Sequence, residues 1–309
     1  MAPHFQCEIR PVRIRYVALK NKLKYYEKAG RVNVTEEWRL FCDLKKLKFQ
    51  NDTNIKSYDD TTLFCPAGMQ QFKSLFKDLD YTDTISNIQS CLRLNDLEEI
   101  GDGTHLLYFN MIGLFSFRQL TVPQTIDLWI EFLDRIGIKP DYVTIHPDKP
   151  DWKEYYQKHN LEVRLDSECI WSDGEIGGYC TEFYVNDIEI GNIVNTLGDC
   201  IDVGFGLERL ELILTGKSKT KEEILIETVQ KIIECGIKPG NTKRGYILKK
   251  LLRMCYESDI KIEHQFYEEE KIRQEKVLQK WNRLKDKHKD KSKEWWWDTH
   301  GIDLDLFIL

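Results

Sequence analysis

The sequence predicts an α+β fold in which an antiparallel sheet with flanking helices is followed by a part made of helices alone. Short runs rich in β-branched and aromatic residues follow one another from residue 179 to 206 without helices between them, which favours meander strands over βαβ crossovers. After Gly216 the apolar residues have helical spacing throughout. Residues 238–255 contain six basic and no acidic residues, although the net charge of the chain is −6. Two parts with different roles are therefore expected.

The individual elements are predicted from apolar spacing and from turn signals. The strands are expected at residues 106–117, 142–146, 179–185, 188–195 and 200–204. The helices are expected at residues 12–29, 125–138, 207–215, 221–235, 244–257 and 263–293, of which the last is long and highly charged. These patterns give a predicted division into two domains, residues 1–216 and 217–309.

The composition excludes several classes of protein. With 41% hydrophobic and 31% charged residues, the 309-residue chain can bury a core and does not resemble a disordered protein. Its apolar runs are shorter than the roughly 18 residues that span a bilayer, and no secretory signal is expected at the start. The nine cysteines include no Cys-x-x-Cys pair, so we expect neither a disulfide framework nor a zinc site, and a cytoplasmic location fits these thiols best.

The most informative segment is residues 201–210, which combines alternating glycines with an arginine at a helix start. Gly204 and Gly206 allow a ligand to approach the strand backbone closely. The following helix N-terminus favours anions, and Arg209 on its first turn can hold a phosphate. The spacing is neither a dinucleotide fingerprint nor a Walker loop. On spacing alone, a strand-to-helix turn with a surface arginine is at least as good an interpretation as phosphate binding.

The run from Gly204 to Arg209 resembles motif 3 of the class II aminoacyl-tRNA synthetases, and with Asp202 before it the segment is most similar to the alanyl-tRNA synthetase family. Six further segments resemble that family in the same order: residues 61–73, 91–117, 173–182, 192–194, 239–250 and 297–306. The resemblance implies a class II synthetase antiparallel sheet with flanking helices, followed by an all-α tRNA-recognition domain. It also implies a minimal form without the family's editing and C-terminal domains.

The implied activity is ATP-dependent ligation of alanine to the 3′ end of tRNA through an alanyl adenylate. The resemblance assigns Arg93 and Arg209 to catalysis, as contacts of the α- and γ-phosphates of ATP. It places Phe109 against adenine with Met111 beside it, and His105 near the outer phosphates. Mg²⁺ is implied together with ATP, and the sequence identifies no ligands for it. Without the resemblance, Phe109 would be assigned to the core and His105 to the surface.

The predicted amino-acid pocket centres on Asp202, because a buried carboxylate needs a charged or hydrogen-bonding partner and a substrate ammonium supplies one. The alternative is that Asp202 caps or pairs locally. Trp171, Val194 and Gly204 are expected to shape a small apolar pocket, and Asn192 to add a polar contact. Trp171 alone would be assigned to the core.

A basic helix is the predicted tRNA surface. Lys249 and Arg253 lie four residues apart beside Lys250, opposite an apolar face, and such a stripe suits a phosphate backbone. A solvated charged face is the alternative, but this segment has no acidic residue. The full set assigned to tRNA is Asn241, Lys243, Arg244, Lys249, Lys250, Arg253 and Asp298. By resemblance, Asn241 and Asp298 read the G·U pair of the acceptor stem.

The sequence departs from the family at several positions. Leu94 alone replaces a five-residue stretch that includes a lysine near the ATP phosphates, Asn110 stands in place of a glutamate, and Gly191 in place of a tryptophan. These changes bear on the identity of the amino acid and on the geometry of the ATP loop. The dimer-forming motif of the class is not recognisable, so the oligomeric state is open, with a monomer as the expectation.

Two other functions are compatible with the pattern. An enzyme could adenylate an amino acid and deliver it to a non-tRNA acceptor, but such an enzyme has no use for acceptor-stem readers such as Asn241 and Asp298. A non-catalytic paralogue that binds tRNA or protein is expected to lose Arg93, Asp202 or Arg209, and all three are present.

Overall fold

The computed structural model describes residues 32–52, 54–300 and 302. The predicted helix at 12–29 and the chain start lie outside these residues. The chain divides into two compact units, one formed by residues up to 59, 65–91 and 109–218, and the other by residues 60–64, 92–108 and from 219 onward. The assignment of residues 1–216 to catalysis and 217–309 to tRNA recognition stays a prediction.

The described strands form one sheet. The strands are β1 (Lys48–Asp52), β2 (Asp83–Leu92), β3 (Tyr108–Phe117), β4 (Tyr142–Ile145), β5 (Glu162–Leu165), β6 (Ile170–Ser172), β7 (Gly177–Val185), β8 (Ile188–Thr196) and β9 (Cys200–Gly206). Their order is β1-β2-β3-β9-β8-β7-β4-β5, and β6 pairs with β7. The pairs β3/β9, β9/β8, β8/β7 and β7/β4 are antiparallel, so the predicted meander is confirmed, whereas β1/β2 and β4/β5 are parallel.

Helices of the first unit accompany this sheet. They are α1 (Val34–Lys45), α2 (Lys73–Lys77), α3 (Val122–Ile136), α4 (Trp152–Gln157) and α5 (Leu207–Thr215), with a 3₁₀ turn at Gln70–Phe72. Helix α3 begins three residues before its predicted start because Thr121 and Gln124 form a capping box. It ends at Gly137, whose φ of 80° suits a glycine C-cap.

A stack of aromatic rings forms the centre of the main core. Trp129 of α3 lies 4.2 Å from the ring of Phe205 on β9 and 4.8 Å from that of Trp38 on α1. Ile193 and Val203 join the same cluster from β8 and β9. Since side chains alternate between the faces of a strand, these residues define the helix-covered face of the sheet, and their neighbours point to the opposite face.

The second unit is mainly helical. It contains α6 (Lys221–Glu234), α7 (Lys243–Glu257), α8 (Gln265–Leu284) and α9 (Lys293–His300), together with a 3₁₀ turn at Asn95–Glu98. A capping box between Thr220 and Glu223 starts α6. The sequence and structure thus agree on an α+β chain with a helical C-terminal part. In the part of the chain that the structure describes, no helix is sufficiently long and apolar to cross a membrane.

The prediction of one continuous helix at 263–293 is wrong. Helix α8 ends at Leu284, and a separate helix α9 begins at Lys293. Residues 285–293 contain no apolar side chain that could pack against a neighbour, and helices in proteins depend on such packing. Trp296 is buried against Trp281 and Leu284, so α9 folds back onto the end of α8.

Candidate active site

The register of the central strands gathers the predicted amino-acid residues on the sheet face opposite the aromatic core. Asp202 of β9 lies opposite Val194 of β8. Gly204 lies opposite Asn192 in the next row on the same face. Directly opposed residues of an antiparallel pair share a face, so these four predicted residues line one surface.

In the part of the chain that the structure describes, Asp202 is a buried carboxylate without a counterion. Asp202 is 8% exposed. Burial raises the pKa of its carboxyl group to about 7, and the negative charge of Asp173 adds to this effect. Among the described residues, no cation or hydrogen-bond donor contacts its side chain. A buried, unpaired carboxylate of this kind is costly in the free protein and gains a partner when a cation arrives. Its environment therefore suits an ammonium group.

Trp171 and two glycines shape the wall beside Asp202. Trp171 packs against Val194 and against the neighbouring apolar cluster that contains Phe115. A Cβ atom on Gly204 would lie 2.8 Å from the sulfur of Met111, so the Met111 side chain covers this strand closely. A Cβ atom on Gly178 would lie 1.9 Å from the carbonyl oxygen of Asn195, a distance that only glycine allows. Both glycines are therefore needed for the close packing of this wall.

Lys73 is a charged neighbour of this surface that sequence reasoning did not assign. Its Nζ lies 2.8 Å from Asp173 Oδ2 and 2.9 Å from Asp59 Oδ2. The ion pair balances the charge of Asp173, whose pKa is lowered: burial acts to raise it, but the hydrogen bond from Lys73 and backbone amides outweighs this. The residue lies in the segment 61–73 that resembles the family, but a single lysine there gave no signal of a site.

The motif 3 segment has the geometry of an anion site. Helix α5 begins directly after Gly206, and Arg209 on its first turn donates from Nη1 to the carbonyl of Glu189 at 2.8 Å and to Glu189 Oε2 at 3.0 Å. Among the described residues, Nη2 and Nε of Arg209 have no partner. The arginine is therefore oriented by one nitrogen and keeps two for a ligand, which fits a phosphate group.

Asn110 has a structural role that the sequence did not reveal. Its backbone N–H and Nδ2 donate to the carboxylate of Glu208, at distances from 2.9 to 3.1 Å. Its Oδ1 accepts a bond from Ser90 Oγ at 3.0 Å. The asparagine that replaces the family's glutamate thus ties β2, β3 and α5 together. Phe109 and Met111, the neighbours of Asn110 on β3, point to the other face of the sheet. This is the face of Gly113 and of its register partner Gly204.

Arg93 and His105 belong to the second compact unit. The backbone N–H of Arg93 donates to the carbonyl of Leu107 at 2.9 Å. His105 lies between two carboxylates: Nδ1 contacts Asp102, and Nε2 lies 3.1 Å from Glu99 Oε2. Although partial burial raises the pKa of Asp102, hydrogen bonds from the backbone of His105 and Thr104 hold it well below its ordinary value. A phosphate at His105 would have to compete with both carboxylates.

The basic helix α7 is preceded by a tight turn. The N–H of Gly240 donates to the carbonyl of Gly245 at 2.9 Å, and a Cβ atom on Gly245 would lie 2.8 Å from the Lys238 carbonyl oxygen. Lys249 reaches back and donates from Nζ to Asn241 Oδ1 at 2.8 Å. The structure thus brings two predicted tRNA-binding residues into contact.

The basic stripe has an acidic partner, although its own segment contains no acidic residue. Glu270 of α8, which is 6% exposed, lies 3.9 Å from Arg253 Nε and also pairs with Arg273. The sequence pattern missed this partner because it lies on another helix. Burial first, and then the charge of Arg273, lowers the pKa of Lys249.

The other predicted tRNA residues of this unit differ in their surroundings. Arg244 donates from Nε to the carbonyl of Leu63, so part of its guanidinium is engaged. Lys243, with a φ of 49°, starts α7 in the left-handed region. Lys250 is exposed on the same helix, and Asp298 is exposed on α9.

Comparison with curated proteins finds relatives that share one name. The alanine–tRNA ligases of Chlamydia trachomatis serovar L2 and of Francisella tularensis subsp. tularensis are each 28% identical to this chain, over 277 and 273 residues. Each match covers 63% of this chain and 31% or 32% of the relative. The chain thus spans about a third of the length of these relatives.

The similar solved structures are more distant in sequence. The pyrrolysyl-tRNA synthetase PylSc of Desulfitobacterium hafniense has a TM-score of 0.42 and 16% identity, covering 67% of this chain and 78% of that chain. A putative aspartyl-tRNA synthetase from Leishmania major has a TM-score of 0.40 and 12% identity, covering 60% of this chain and 61% of that chain.

The family model described as "tRNA synthetases class II (A)" matches residues 47–234, which include the sheet, Asp202 and the motif 3 segment. This range exceeds half of the chain, and it contains the strands and the strand-to-helix turn on which the resemblance rests. The chain belongs to the family of class II (A) tRNA synthetases.

Proposed function

We propose that this chain activates alanine with ATP to form an alanyl adenylate and transfers the alanyl group to the 3′ end of tRNA. The curated relatives are named alanine–tRNA ligases, and the residues that resemble their motifs include a buried carboxylate and a partly engaged arginine on one compact unit. The observation that carries the proposal is Asp202, a buried carboxylate that has no counterion in the part of the chain described.

In this proposal Asp202 binds the α-ammonium of alanine. The ammonium replaces the missing counterion, which lowers the pKa of Asp202 and keeps it ionised at neutral pH. Trp171 and Val194, which pack together, are proposed to contact the methyl side chain, and Asn192, opposite Gly204, to add a polar contact. Alanine held in this way presents its carboxylate for attack on the α-phosphate of ATP, so that positioning supplies much of the rate.

Arg209 is proposed to bind the γ-phosphate through Nη2 and Nε, while Nη1 stays on Glu189. This bond to Glu189 fixes the guanidinium before ATP arrives, so little side-chain entropy is lost on binding. Phe109 and Met111 share the face of Gly204 and are proposed to contact adenine. Arg93 is proposed to stabilise charge on the α-phosphate in the transition state. Bound Mg²⁺ would neutralise phosphate charge, and no ligand is assigned to it.

For tRNA, we propose that exposed Lys250 and the Asn241–Lys249 pair contact the acceptor stem. The proposal includes Lys243, Arg244 and Arg253 as neighbouring phosphate contacts. Recognition of a G·U pair by Asn241 and Asp298 belongs to the same proposal. In Asn241, the oxygen accepts from Lys249 at 2.8 Å, so its amide N–H₂ is the group that points to a base-edge acceptor.

Two assays test the proposal. Exchange between pyrophosphate and ATP, measured with each of the twenty amino acids, should be fastest with alanine. Asp202→Asn should abolish this exchange, while Asp151→Asn, a change at an exposed aspartate of the same unit, should leave it intact. The assignment would be refuted if none of the twenty amino acids supported exchange. Equal exchange by the wild type and Asp202→Asn would also refute it.

Charging separates tRNA from another acceptor. A tRNA or minihelix with the acceptor-stem G·U pair should be charged, and its G·C counterpart should be charged far more slowly. Rapid exchange without charging of either RNA would favour delivery of the activated amino acid to a non-tRNA acceptor. Equal charging of the two RNAs would refute the roles of Asn241 and Asp298 as base readers.

A further inference from the structure

Two thiols and a carboxylate meet at the junction of β4, β6 and β7. Cys169 precedes β6. Cys180 and Glu182 lie two residues apart on β7, so their side chains point to the same face of the sheet. The Cys180 N–H donates to the Cys169 carbonyl at 2.9 Å, which places the two cysteines side by side. Among the described residues, this is the one group of three potential metal ligands, with all ligand atoms within 4.8 Å of one another.

The three ligand atoms are held in place before any ion binds. Cys169 and Cys180 are fully buried, at 0% and 1% exposure. The Cys169 thiol lies 3.0 Å from Thr144 Oγ1, and Thr144 is the register partner of Glu182 on β4. Cys180 Sγ lies 3.9 Å from Glu182 Oε1. Cysteine sulfur and glutamate oxygen are both zinc ligands, and three protein ligands leave a fourth position for water.

The surrounding charge also favours a cation. The charged groups that act most strongly on the three ligands are acidic: Asp166 and Glu189 act on Glu182, and Glu182 acts on both cysteines. The Glu182 carboxylate is oriented by Tyr184, whose hydroxyl donates to Oε2 at 2.7 Å. A cation bound by the three ligands would be stabilised by this negative surrounding charge.

We propose that Cys169, Cys180 and Glu182 bind one thiophilic divalent cation of the zinc type. Both thiols lose their protons to solvent when the ion binds, and the carboxylate supplies the third ligand. This site was not predicted from the sequence, because its cysteines lie eleven residues apart and no Cys-x-x-Cys spacing is present. The site packs against Val194, a residue of the predicted amino-acid pocket, yet it does not depend on that pocket's function.

Cobalt titration of the full chain tests the site without any activity measurement. The protein is purified under reducing conditions, stripped with a chelator and titrated with Co²⁺ alone. We expect a saturable near-ultraviolet thiolate-to-cobalt charge-transfer band with one equivalent bound, release of protons, and loss of the band on addition of Zn²⁺. Cys169→Ser and Cys180→Ser should each remove or strongly weaken the band. The matched control Cys235→Ser, a thiol-to-hydroxyl change in the other compact unit, should leave it unchanged.

Glu182→Gln keeps both thiols and the size of the side chain, so it serves if a cysteine variant fails to fold. It should keep a thiolate band and weaken metal affinity by at least the roughly 10- to 100-fold that is typical of losing an outer-shell partner. The proposal is overturned if the wild type shows no saturable band, or if a Cys169–Cys180 disulfide forms under these conditions in place of metal binding. It is equally overturned if Cys235→Ser abolishes the band while Cys169→Ser does not.

Discussion

Replacing Asp202 by asparagine removes a buried charge and keeps the shape of the side chain. The pKa of about 7 lies about three units above the ordinary value of 3.8. Each unit corresponds to about 1.4 kcal/mol at 25 °C, so ionised Asp202 costs the free protein up to about 4 kcal/mol. Asparagine carries no charge at any pH and avoids this cost.

The sign of the effect follows from proton linkage. Between about pH 4 and pH 7 the native state holds a proton on Asp202 that the unfolded chain releases. The free energy of unfolding of the wild type therefore falls as pH rises through this window. Below the window both states are protonated, and above it both are ionised and the full cost is present. The stability difference between Asp202→Asn and the wild type should grow from near zero at pH 4 to about 4 kcal/mol at pH 8.

Urea unfolding of both proteins from pH 4 to pH 8 measures this difference, because the two proteins share every other titrating group. Saturating alanine provides the second arm. It should stabilise the wild type at pH 8 by supplying the ammonium, and it should leave Asp202→Asn unchanged. Equal stability of the two proteins at pH 8, or a variant that is less stable there, would show that the buried charge of Asp202 does not destabilise the free protein.

Three further changes give separate expectations. Gly178→Ala should lower the free energy of unfolding by about 1–3 kcal/mol in urea titrations, because its methyl group would meet a backbone carbonyl at 1.9 Å. Gly240→Ala is the control and should be nearly neutral, because the nearest atom to its methyl group would lie 3.7 Å away. Gly204→Ala should leave stability within about 1 kcal/mol, since flexible Met111 can move, but it should raise the KM for alanine or ATP in exchange assays by about 10- to 100-fold; an unchanged KM would place the pocket elsewhere. Lys250→Ala should reduce the slope of log K against log salt for tRNA binding by about one, and an unaltered slope would exclude a phosphate contact.

The central strands and the site residues on them were accessible to sequence reasoning because local patterns encode them. Strands β8 and β9 show β-rich runs between turn signals, and α5 begins and ends where its spacing predicts. Asp202 and Gly204 stand out because a carboxylate and a glycine interrupt an apolar strand. Their position on one face follows from the alternation of side chains once the register is known.

Other features depend on contacts that the sequence does not display. Strand β2 was not predicted because both of its faces are buried while Asn87 and Gln89 interrupt its apolar residues. The pairing of Arg253 with Glu270 joins two helices, and the contact of Cys169 with Cys180 joins the residue before β6 to β7. Such pairs arise from tertiary packing, so spacing along one element cannot reveal them.

Calorimetric binding of a non-reactive alanyl-adenylate analogue to the full chain tests the role of Asp202 most directly. The analogue carries the ammonium, the methyl group and the adenosine in one molecule. We predict tight binding by the wild type and a loss of about 100-fold or more in Asp202→Asn, the order expected when one partner of a buried ion pair is removed. Equal affinity of the two proteins, or no binding by the wild type, would contradict it.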